Sequence, residues 1–282
     1  MQEYSDCDRG VGFNRYMGIV RKRVAGVLAL FAALCFANGS GAQPAAGNLS
    51  QNLHFQAEQL FTLANQARAS QGAAPLKWDP ALAAAALAHC QRMAAEGPIS
   101  HRYGGEADLS ERAGKAGAHF SLIEENVAVG SYVARIHEGW MNSPGHRANL
   151  LNPSVDRVGI AVVPAGGVYY AVADFARAVQ VLSPTQVEAA IASLIRPSGV
   201  AIRRDPSVAR AACVLDHGLP RLSADPQPEF VMRWQNADLT QLPQDLADKL
   251  ASARYSQAEV GSCPAENVEG SFTVYRIAVL LY

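Results

Sequence analysis

The stretch Trp140-Met141-Asn142-Ser143-Pro144-Gly145-His146-Arg147-Ala148-Asn149-Leu150-Leu151 constrains this chain more tightly than any other. It compresses a helix end, a rigid turn, a histidine and an apolar run into one short segment. Proline fixes φ, and glycine permits the left-handed conformations that close turns need. Ser143-Pro144-Gly145 is therefore expected to present His146 from a stiff corner. A single histidine in a turn is more often solvated or structural than functional, so the string gains meaning from its surroundings.

Five further segments accompany it in order. Ala64-Asn65-Gln66-Ala67-Arg68 is followed by Pro75-Leu76-Lys77-Trp78-Asp79-Pro80, then by Ser100-His101, by Glu125-Asn126-Val127-Ala128, and by Val158-Gly159-Ile160-Ala161-Val162. Each short marker is weak alone. Together, and in this order, they closely resemble bacterial members of the CAP superfamily, whose SCP domains occur in cysteine-rich secretory proteins, antigen 5 and pathogenesis-related proteins. The resemblance covers residues 55–178 and implies an α+β fold, a three-layer α-β-α sandwich. Residues 183–282 are expected to form a smaller α+β domain of unknown type.

The chain has 282 residues, 49% of them hydrophobic and 17% charged, the balance of a globular protein with a sizeable core. Its net charge of −1 gives no reason to expect nucleic acid or an anionic membrane as partner. Arg21-Lys22-Arg23 precedes a mostly apolar run, Val24 to Ala37, that is too short for a comfortable membrane span. Ser40-Gly41-Ala42 then fits a small-x-small cleavage pattern. Residues 1–42 are thus expected to be an extension and signal peptide, with Met17 the natural start, cleavage near Ala42, and no transmembrane segment in the mature exported chain. Leu34 directly before Cys35 argues against a lipid anchor.

Of the cysteines beyond Ala42, Cys90 falls in a predicted helix, which leaves Cys213 and Cys263 as the natural disulfide pair if export permits one. Two buried thiols remain the alternative. Residues 43–54 read as a linker. Helical spacing of Leu60, Leu63, Ala64 and Ala67 predicts a helix from Leu53 to Ala69. Asp79 with Pro80 predicts a capped helix whose face carries Leu82, Ala86, His89, Cys90 and Met93, ending at Gly97-Pro98. A third helix is expected from a Ser131 cap to about Asn142, then strands over 157–163 and 168–176. Further on, Gln186 to Ile195 predicts a helix, and Phe230 to Trp234 and Phe272 to Tyr282 predict strands. Val260-Gly261 with Phe272-Thr273-Val274-Tyr275 faintly echoes Val158-Gly159 and Tyr169-Tyr170, so a degenerate second copy is an open alternative.

His101, Glu125 and His146 are expected on three separate loops. Two neutral imidazoles and a carboxylate suit a divalent cation with open positions, or general acid-base work. Their assembly into one cleft is what the resemblance implies. His101 and His146 would be the metal ligands, for zinc or another divalent cation. The family's fourth, acidic position has no direct match, and Glu138, before Trp140, is the only nearby carboxylate. His137, His89, Trp78 and Trp140 read as core residues. A purely structural role for Glu125-Asn126, with Arg147 and Asn149 tying loops, is the competing reading.

The chain carries no nucleophile elbow, phosphate loop or nucleotide fingerprint. The resemblance therefore implies an exported binding module for a lipid-like, cell-wall or protein ligand more than an enzyme. A metal-assisted hydrolase or peptidase, with Glu125 as base, is one alternative. A structural or interaction protein of the envelope is the other.

Overall fold

Helix start signals place the elements of the first half. The computed structural model describes residues 46–220, 226–268 and 270–282, with side chains from 54 onward. The expected signal peptide, start and cleavage site lie outside the described residues. The first elements are α1 (Ala46–Ser70), β1 (Lys77–Trp78), α2 (Pro80–Glu96), α3 (Leu109–Lys115) and β2 (Phe120–Gly130). They are followed by α4 (Val133–Asn142), α5 (Pro144–Leu151), β3 (Arg157–Ala165) and β4 (Val168–Ala178). Asp79 caps α2 as expected, accepting from the Ala81 and Leu82 N–H groups, with Pro80 opening the helix.

Several expectations are corrected. Helix α1 begins at Ala46, inside the stretch read as a linker. Tyr132, not Ser131, is the N-cap of α4, and it makes no side-chain capping bond. Pro144 does not form a free corner but opens α5, because its fixed φ is already that of a first helical turn. His146 therefore rides on a helix, and Glu125 on strand β2.

The strand order is β1-β3-β4-β2, with β1 parallel to β3 and the other pairs antiparallel. Alternation divides the strand side chains between two helical layers. Ile160, Val162, Ala173 and Phe175 pack with Leu60 of α1, Trp140 of α4 and Leu150 of α5. Ala161, Val172 and Val127 pack with Ala86, Cys90 and Met93 of α2, while Leu82, Ala113 and Phe120 continue that layer. This is the expected three-layer sandwich. A Cβ on Gly159 would lie 2.0 Å from the Ala83 nitrogen, so α2 rests directly on β3 and only glycine fits beneath it.

The second half contains α6 (Pro184–Ile195), β5 (Ala201–Ile202), α7 (Ser207–Cys213), β6 (Phe230–Asn236), α8 (Gln244–Ala251), β7 (Gln257–Cys263) and β8 (Tyr275–Leu281). Its sheet has the order β5-β7-β8-β6, again with one parallel and two antiparallel pairs. That repeats the first sheet strand for strand. Gly261 repeats Gly159 as well, since a Cβ there would lie 2.2 Å from the Arg210 nitrogen of α7. The faint echo at Val260-Gly261 thus marks a second, shorter version of the same topology. Cys213 and Cys263 form the expected disulfide, joining α7 to β7.

Candidate functional site

The site is built at the β2 edge on the α2 side of the first sheet. Helix α2 brings His89, whose ring is fully buried, and the following loop brings His101, half exposed. His101 Nδ1 lies 2.8 Å from Oε1 of Glu125. The carboxylate can only accept, so Nδ1 carries a proton, and in the neutral ring Nε2 keeps its lone pair for a ligand. Arg112 of α3 donates to Oε2 of Glu125 at 2.5 Å and to the His101 carbonyl at 3.2 Å. One buried guanidinium thus fixes both the carboxylate and the loop that carries the imidazole.

Behind this pair, His89 Nδ1 meets Oε1 of Glu106 at 2.8 Å, and His89 Nε2 meets the Ser100 carbonyl at 2.9 Å. Both ring nitrogens of His89 are thus engaged, one by the Glu106 carboxyl and one by the Ser100 carbonyl. Burial opposes ionisation of Glu106, but the Tyr103 N–H and His89 outweigh it and hold the Glu106 carboxyl below its ordinary range. His89, read from sequence as a core residue, is both buried and part of the site's framework.

Asp174 of β4 stands opposite Glu125 of β2 and Gly159 of β3, in one row across the sheet. It is fully buried, and neither carboxyl oxygen has a hydrogen-bond partner while both carboxyls are ionised. Burial, and next the negative charge of Glu125, push its carboxyl well above the ordinary value. Arg112 donates to Glu125 and not to Asp174, so Asp174 fits here as the neutral acid donating to Glu125.

His146 enters from α5. Asn126 donates to its carbonyl at 2.9 Å, and Asn149 donates to the Glu125 carbonyl and to Oδ1 of Asn126. Those bonds perform the loop-tying role expected of Asn126 and Asn149, whereas Arg147 reaches only the exposed Gln71. Burial, and then the charge of His101, hold the His146 imidazole below its ordinary pKa. The two rings are near enough to repel each other when charged, and His146 favours its neutral, ligating form.

Glu138 does not join them. It is exposed and pairs with Arg135 at 3.4 Å on the outer face of α4. His137 is half-buried with Nε2 unpartnered, and burial lowers its pKa, as suits a packed histidine. Among the described residues no group of three His, Cys, Asp or Glu side chains is placed to hold a metal ion. Two imidazoles and a carboxylate are the donor types a divalent cation takes, and Glu125 is the carboxylate behind His101. Sequence reasoning missed Arg112, Glu106 and Asp174. Asp108, which caps α3 by accepting from the Glu111 N–H, was the available signal for the helix that carries Arg112.

Known proteins are similar to part of this chain. The model of the cysteine-rich secretory protein family, CAP, matches residues 61–175. The uncharacterized protein YkwD of Bacillus subtilis is 31% identical over 116 residues, covering 40% of this chain and 44% of YkwD. The uncharacterized membrane protein YlbC of the same organism is 34% identical over 107 residues, covering 37% of this chain and 31% of YlbC. The chain therefore spans less than half the length of either relative. An SCP-domain extracellular protein of Bacillus anthracis is 28% identical over 49% of this chain and 45% of its own, with a TM-score of 0.44. The ordered markers and the family match together make residues 61–175 a CAP domain.

Proposed function

We propose that this is an exported binding module whose CAP cleft takes a divalent cation on His101 and His146, or a small lipid-like or envelope ligand beside them. One observation supports the reading: Glu125 engages Nδ1 of the half-exposed His101, which leaves Nε2 for a ligand, and the charge of His101 acts on the imidazole of His146. A bound cation would supply positive charge for an anionic ligand group. His101 and His146 would hold it, and Glu125 would orient His101 and strengthen it as a donor.

The same geometry weighs against hydrolysis with Glu125 as base. Its side chain is 3% exposed and its oxygens already accept from His101 and Arg112, which leaves little open surface for a reacting water. The Cys213–Cys263 disulfide supports export, since such bonds persist in oxidising compartments. No helix among the described residues is long and apolar enough to cross a membrane.

Calorimetric titration of the purified mature chain with zinc tests the reading, alongside mass spectrometry for co-purified lipid. The expected result is zinc binding that disappears in His101→Ala and in His146→Ala while both variants stay folded. Equal zinc binding in the double variant removes the cation site. Absence of both zinc binding and any recovered ligand removes the binding function.

A further inference from the structure

The row Gly159–Asp174–Glu125 of the first sheet is matched in the second by Gly261–Ala278–Arg233. Both acids are gone. Arg233 turns instead to the Ala212 and Gly218 carbonyls. The second sheet thus keeps the topology without the carboxylate pair, and its β7–β8 connection reaches across to the first.

That connection lands on α3. A Cβ on Gly270 would lie 2.4 Å from Oγ of Ser110, and a Cβ on Gly114 would lie 2.3 Å from Cβ of Ser271. Only glycine permits either approach. Phe272 packs edge-on against Phe120 at 5.3 Å between ring centroids and joins the cluster of Leu82, Ala113 and Phe120. The Thr273 N–H donates to the Phe120 carbonyl at 2.8 Å. The loop therefore touches the first turn of α3, its last turn and the strand that follows it.

Helix α3 spans seven residues, too few to hold its shape unaided. It is fastened on its inner side by Arg112 and Ala113 and on its outer side by this loop. Arg112 is also the group that holds Glu125, and Glu125 holds His101.

We propose that the loop Gly270–Thr273 is a positioning element for the first sheet's site, setting α3 so that Arg112 stays on Glu125 and Glu125 on His101. The second sheet then serves the site of the first while lacking that acid pair itself. The inference rests on the binding reading only for the use to which His101 is put, and its test needs no ligand.

The test is nuclear magnetic resonance on the full mature chain, wild type against Phe272→Ala and Phe272→Leu. Two readouts decide it: amide hydrogen exchange, and the tautomer of His101 from its ring nitrogen shifts. In Phe272→Ala, amides of residues 109–115 should exchange at least about tenfold faster, those of β3 and β4 should keep their rates, and His101 should lose its preference for a proton on Nδ1. Phe272→Leu, which refills the slot, should restore both. Gly114→Ala pushes the loop away from the helix side. It should give the alanine pattern although alanine favours a helix, and it decides the matter if Phe272→Ala does not fold. Unchanged α3 exchange and an unchanged His101 tautomer overturn the proposal. Uniformly faster exchange through β3 and β4 overturns it too, because Phe272 would then be a general packing residue. A failed zinc titration leaves these outcomes untouched and counts only against the binding reading.

Discussion

Asp174 and Glu125 face each other across β4 and β2 on the buried side of the sheet, with Arg112 bonded to the carboxylate of Glu125 and not to that of Asp174. Two carboxylates sharing one guanidinium in a buried layer cannot both ionise cheaply. The raised pKa of Asp174 makes the folded state bind a proton that the unfolded chain would release. The stability this group contributes is complete below its ordinary pKa of 3.8 and is lost as pH rises toward its folded value. Asp174→Asn keeps a donor toward Glu125 and removes that titration. The variant should unfold at higher urea concentration than wild type at neutral pH, and the gap should widen by up to about 1.4 kcal/mol per pH unit from about pH 5 upward. Parallel pH profiles for the two proteins would exclude a protonated Asp174.

His146 shifts the opposite way. Burial and the charge of His101 lower its pKa, so its contribution to stability is present above 6.5 and is lost as pH falls through the folded value. Its imidazole should titrate below 6.5 in a resonance-monitored titration. His101→Ala should move that midpoint upward but not fully back, since burial is the larger cause. A midpoint that does not respond to His101 would mean that the two rings do not share a cleft.

Much of this site is legible in the sequence, but unevenly. The ordered markers place His101, Glu125 and His146, and Asp79-Pro80 places the helix that lies over them. Arg112 is not legible, because its short helix buries only that residue and Ala113 and so shows no apolar period. Asp174 sits in an apolar strand as an apparent exception, and only strand pairing shows that it faces Glu125. Pro144 misleads for a physical reason, since the same φ serves a turn and a first helical turn. The likeness of the second sheet to the first is clearest at Val260-Gly261, because a helix lying directly on a strand requires glycine whereas apolar positions accept many side chains.

Gly159 and Gly261 supply a matched pair of substitutions. Alanine at either puts a Cβ within 2.2 Å of helix backbone, which cannot move aside as a flexible side chain would. Each should destabilise the protein by about 1–3 kcal/mol or more through overpacking. Gly145 of α5 has nothing within 4 Å of its Cβ position, so Gly145→Ala should be neutral or stabilise by up to about 1 kcal/mol through helix propensity. Thermal unfolding of the three variants checks the contrast. Equal losses at all three sites would undo the claim that the helices rest on these glycines.

The first half holds most of what it needs to stand alone. A fragment of residues 43–180 retains the main core cluster, from Ala57 to Phe175, and the cluster around Ala86, Cys90 and Met93 of α2. It should fold. It loses Phe272, the one contribution of the second sheet to the cluster around Phe120, and the Thr273 bond to the Phe120 carbonyl. Its stability should therefore fall below that of the same region in the full chain by about 1.5–3 kcal/mol, the worth of burying one large apolar side chain. Reducing Cys213–Cys263, which closes a loop of 50 residues, should lower the unfolding temperature of the full chain, with a cost of about 4 kcal/mol in the chain-entropy model. The fragment contains neither cysteine, so reductant should leave its unfolding unchanged. If 43–180 yields only aggregate while the full mature chain is soluble, the second sheet completes the first core and the loop at Phe272 is part of its folding unit.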